Sequence, residues 1–149
     1  MRRNAGLLVL TVFLLLLGIG LCVSGCSKEK KEAELKITDE NFVIRQDTNH
    51  SFVVDASGTI QNVGPNDVKN VVVTGYCRSC GEVLVNGKWF ISDVEKTSKQ
   101  KDRISYLAVG DEEDFAFKGV AFYMDQSGNK PEELPKEMEI VVKSYNVVE

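Results

Sequence analysis

Cys77 and Cys80, separated by two residues in "TGYCRSCGEV", are the side chains best suited to chemistry in this chain. Such a pair can form a structural disulfide, work as a redox couple, or supply half of a metal site. A redox couple needs a lowered thiol pKa, usually from a helix N-terminus beside the first cysteine. The flanks "VVVTGY" and "GEVLV" predict strands, and Arg78 is the one cation between the two thiols. A zinc site wants four ligands, and no second pair follows. His50 is the only histidine and reads as a solvated turn residue. Met124 and Met138 could complete a soft copper(I) site, but methionines in strand-rich sequence usually fill core space. A disulfide clipping the turn between two strands is therefore the expectation, with no metal and no cofactor. Redox or metal handling by the same pair is the alternative.

Other chemistry finds little support. The acidic run "GDEED" (110–114) reads as a solvated turn. The loop from Asp125 begins somewhat like a calcium loop, but Lys130 and Lys136 stand where glycine and glutamate are required. No serine elbow or phosphate-cradling glycine loop occurs, so no enzyme is expected. Trp89 and Phe90 are the candidate binding residues. Adjacent in a strand, they point to opposite faces, one of them outward.

Elements that would carry these residues begin with an export signal. Arg2 and Arg3 precede the apolar run Ala5–Val23, long enough to span a bilayer. The following "VSGC", Val23–Cys26, resembles the lipobox of bacterial lipoproteins, with valine where leucine is commonest. That resemblance implies cleavage before Cys26 and a diacylglyceryl group on its thiol. A plain transmembrane anchor is the rival. Two acyl chains hold a protein on a membrane where one does so marginally. Loss of residues 1–25 removes Arg2 and Arg3, lowering Lys and Arg from 18 to 16 against 22 Asp and Glu, a net charge of −6. This disfavours nucleic acid as a partner. Residues 26–36 read as the lipidated cysteine and a charged tether.

From residue 37 to 149 one domain is expected. Runs at 41–46, 51–64, 67–76, 103–109, 113–124 and 139–148 alternate with period two and are rich in β-branched residues. Asn86-Gly87 within "EVLVNGKWFIS" (82–92) predicts a tight type I′ hairpin. Seven or so short strands with turns between them predict an all-β sandwich. Residues 28–36 and 131–138 are the best helix candidates, both short.

The stretch "VVDASGTIQNVGPNDVKNVVVTGYCRSCGEVL" resembles the FxLYD-type, immunoglobulin-like domain of bacterial surface lipoproteins. Gly58, Ile60 and Asn62 match its Gly-x-aliphatic-x-Asn unit. Val68, Val71 and Val73 match its valine-rich strand, and Tyr76 its aromatic position. "LAVGDEEDFAF" matches a later stretch, with Val109 where proline is usual. Cys77 stands where the family has aspartate, so the cysteine pair is an addition. The resemblance implies an immunoglobulin-like sandwich serving as a binding or spacer module outside the cytoplasm. A lipid-anchored accessory protein is thus expected, on a bacterial cell membrane or outer membrane. It would face the periplasm or exterior and engage a protein or glycan partner.

Overall fold

The computed structural model describes residues 32–92 and 95–148. The expected signal segment, the lipobox with Cys26 and the first part of the expected tether lie outside them. Seven strands form: β1 (Leu35–Thr48), β2 (Ser51–Asn62), β3 (Val68–Cys77), β4 (Trp89–Phe90), β5 (Lys101–Leu107), β6 (Glu112–Met124) and β7 (Met138–Val147). One sheet has the order β1-β2-β6-β4 and the other β5-β3-β7, all pairs antiparallel. The chain is the β-sandwich its alternation predicts. After the β1–β2 hairpin, each successive strand lies in the opposite sheet.

Residue type decides which face is inside. In β2, Val54, Ala56 and Ile60 are buried, while Asp55, Ser57 and Thr59 between them are half-buried on the other face. Opposite them lie Val68, Val71 and Val73 of β3, Ile104 and Leu107 of β5, and Ile140 of β7. Phe115 and Phe117 of β6 complete the core, their rings stacked 6.0 Å apart. Each fully buried aliphatic side chain contributes about 1.5–3 kcal/mol. Val68 and Val71, three apart, both reach the core because β3 bulges between them. Asn70 there takes a left-handed backbone (φ 54°), which asparagine tolerates better than most residues.

Two expectations need correction. Leu35 and Lys36, read as tether, belong to β1. Ala33, Leu35 and Ile37 pack against the core, Asn66 Nδ2 donates to Glu32 O at 2.7 Å, and Tyr145 OH donates to Ala33 O at 3.1 Å. Residues from Glu32 onward thus belong to the folded domain, and neither helix candidate is helical in its described residues.

The Asn86-Gly87 hairpin is the second correction. Residues 82–88 form no strand, and only Trp89–Phe90 of that region is one. Lys88 N donates to Val85 O at 3.1 Å, and Gly87 has φ 73° while Asn86 does not share the positive φ. Positive φ at the second central residue alone marks a type II turn. Long-range contacts explain the change. Trp89 and Phe90 pair with Tyr123 and Phe122 of β6 instead of with residues 82–85. Gly87 N donates to Met124 O at 2.8 Å, and Gln126 N to Asn86 Oδ1 at 2.9 Å.

Candidate functional site

β3 ends in the cysteine pair. Cys77 is buried in the core and Cys80 half-buried against it, their sulfurs at disulfide-bonding distance and their Cα atoms 5.5 Å apart. The loop they close is fixed on two sides. Towards β7, Arg78 N donates to Glu137 O at 2.8 Å, Glu137 N donates to Ser79 Oγ at 3.2 Å, and Arg78 forms an ion pair with Glu139. Towards β4, Gly81 N donates to Trp89 O at 3.1 Å and Ile91 N to Gly81 O at 2.9 Å. Gly81 leaves Cys80 directly, so the clip ties the end of β3 in one sheet to the edge of the other.

No helix begins at the pair, and its cation, Arg78, is engaged by Glu139. Among the described residues, no group of three or more His, Cys, Asp or Glu side chains is placed to hold a metal ion. His50 is exposed in the β1–β2 turn. Asp125 braces its own loop, accepting from Ser127 N at 2.9 Å and Asn129 N at 3.2 Å.

Beyond the clip the chain forms an apolar tip. Val83, Leu84 and Val85 are 72%, 49% and 45% exposed, and Leu134 beside them is 37% exposed. Trp89 lies beneath, half-buried, its ring 5.2 Å from Tyr123 and its indole Nε1 donating to Glu133 O at 3.2 Å. A groove of about 450 Å³ runs between Val83, Val85, Trp89 and Leu134. Trp89 thus faces the core side, while Phe90 sits on the other face, 5.9 Å from Phe122. Both candidate aromatics are half-buried, and the aliphatic triplet supplies the exposed surface. Strand alternation hid that triplet, because three successive aliphatics beside a turn read as buried strand.

The tip lies at the end of the first sheet remote from the domain's entry. β1 enters at Leu35 opposite Asn62, and Gln61 pairs with Glu112 at the start of β6. Gly87 and the tip hang from Met124 at its finish. Thirteen residues of strand separate these ends by about 40 Å.

Compared with known protein families, curated proteins and solved structures, the chain matches none.

Replacing both cysteines, Cys77→Ser with Cys80→Ser, is expected to lower stability by about 2 kcal/mol, the chain-entropy value for so small a loop. Urea unfolding of the double variant checks this. No change in midpoint would remove the clip from the stability account.

Proposed function

We propose that this chain is a lipid-anchored, extracytoplasmic binding module without catalytic activity, held to its membrane through Cys26. The observation that carries the binding part is the exposed Val83–Val85 triplet over Trp89, displayed about 40 Å along the sheet from the domain's entry. Contiguous exposed apolar surface of this kind marks interaction sites on soluble domains. The "VSGC" sequence after a basic and apolar leader supports the anchor. Six residues from Cys26 to Glu32 span at most about 20 Å, keeping the domain near the surface.

The immunoglobulin-like, FxLYD-type assignment is part of this proposal. Its motif residues carry structural work here. Ile60 is fully buried, Asn62 organises the entry end, and Gly58 lies under β1. The interleaving of strands between sheets also suits an immunoglobulin-like topology.

Metabolic labelling with radioactive palmitate in a bacterial host tests the anchor. The wild-type chain is expected to take up label and fractionate with membranes. Cys26→Ser is expected to lose the label and remain unprocessed. An unlabelled wild-type chain would sink the lipoprotein assignment.

A further inference from the structure

A second groove, of about 750 Å³, shares no lining residue with the groove at the tip. It is bounded by the outer face of the first sheet, by β6 at Ala116–Gly119, and by the 3-10 turn Ser98–Gln100. Along this groove β6 has no strand beside it. β4 pairs only with Phe122 and Tyr123, while β2 occupies the opposite edge throughout. Two side chains cover part of the open edge. Ala116 N donates to Asp102 Oδ2 at 2.8 Å, and Gln100 Nε2 donates to Gly119 O at 2.9 Å.

Among the described residues the groove's charge runs against that of the chain. Arg45, Lys99, Lys101 and Lys118 line it, against Asp47 and Glu95, in a protein of net charge −4. Arg45 is already held by Asp55 at 2.7 Å and Asp47 at 3.1 Å. Lys101 stands 3.9 Å from Glu95. Lys99 and Lys118 have no ion-pair partner among the described residues. Beyond the groove, Lys96 and Lys143 extend the cationic zone. Lys96 donates to Gly75 O and lies 4.3 Å over the Tyr76 ring. Its pKa is lowered by burial first, then by the charges of Lys143 and Lys101.

The floor is apolar. Val53 and Phe117 are buried and Phe122 half-buried. Arg45, Val53 and Phe122 stand in one row across β1, β2 and β6. Two strand spacings make that row about 10 Å wide, which three to four extended residues would cross. A bulky polyanion such as nucleic acid would meet the repulsion of the acidic chain around this local site.

We propose that this groove binds an extended acidic segment of a partner protein, its apolar side chains on Val53 and Phe122 and its carboxylates at Lys99 and Lys118. The proposal adds a second surface to the reading of the chain as a binding module. It does not depend on the anchor or the tip, so palmitate labelling and the experiment below can fail separately.

The test uses the full chain in detergent micelles and fluorescein-labelled peptides of alternating sequence, Glu-Val repeats against Lys-Val repeats. Fluorescence anisotropy is expected to show binding of the acidic peptide alone, weakened about tenfold or more between roughly 0.05 and 0.5 M salt. Lys99→Glu with Lys118→Glu is expected to weaken it at least about tenfold. Lys69→Glu with Lys130→Glu, the same charge change elsewhere, should leave binding within about twofold after salt correction. All four positions are exposed, and a thermal melt checks that each variant is folded. No binding of the Glu-Val peptide, equal binding of both peptides, or indifference to Lys99→Glu with Lys118→Glu overturns the proposal. So does binding of a sulfated oligosaccharide in place of the acidic peptide.

Discussion

Asn62→Ala is expected to destabilise the domain by about 3–5 kcal/mol, because it removes three hydrogen bonds made by one fully buried side chain. Asn62 is fully buried. Its amide nitrogen donates to Asn66 O at 2.9 Å and Leu107 O at 3.1 Å, and its side-chain oxygen accepts from Gly64 N at 3.1 Å. Its backbone is bound as well, to Asp111 O at 3.1 Å and from Gly110 N at 2.8 Å. One side chain therefore joins the end of β2, the turn after it, and the end of β5. Alanine removes this partner from both carbonyl oxygens, and leaves Gly64 N only its bond to Glu34 O at 3.0 Å. Asn62→Asp should do no better. It restores the acceptor but sets a buried carboxylate against two carbonyl oxygens. Urea unfolding monitored by Trp89 fluorescence measures both variants. A loss below about 1 kcal/mol for alanine would mean that water replaces the side chain without difficulty.

Gly58→Ala is expected to cost about 2–4 kcal/mol and to loosen β1. A Cβ at Gly58 would fall 2.1 Å from Asp39 O and 2.8 Å from Phe115 Cζ. The nearer contact is backbone, which cannot rotate away. It lies where β1 slips register against β2, between Ile37 and Asp39. Relief would come from moving β1 outward, since that strand has no neighbour on its other side. Amide hydrogen exchange should then rise across residues 35–48 while the β3–β7 ladder stays protected. Unchanged protection in β1 would show that the strand accommodates the methyl group locally.

The central strands were legible because their burial is enforced by period-two alternation, as in Val54, Ala56 and Ile60 against Asp55, Ser57 and Thr59. β1 was read short. Lys36, Asp39 and Glu40 give its first half the composition of a tether, yet an edge strand tolerates such charges and is protected by them. The tip departs from its local sequence signal for a different cause. Locally, Asn86-Gly87 favours a hairpin, but Trp89 and Phe90 find aromatic partners on β6 more than thirty positions later. The closeness of Cys77 and Cys80 was legible because their spacing suits a tight turn, and their sulfurs do lie at disulfide-bonding distance. The cationic groove was not legible at all. Arg45, Lys99 and Lys118 lie far apart in sequence, and only the passage of the chain between sheets brings them together.

The opposed positions of the domain's entry and its apolar tip also decide how the domain would respond to force. Tension applied at Glu32 and at the tip would draw β1 lengthwise along β2, across the ladder from Leu35–Asn62 to Thr48–Ser51. Load of that kind is shared by all the ladder's hydrogen bonds at once, whereas peeling from one end breaks them in turn. At the tip the load divides between Met124 of β6, which accepts from Gly87 N, and the covalent run through Cys80 and Cys77 to β3. A partner pulling on the tip would thus load the β1–β2 ladder in shear and not in peeling.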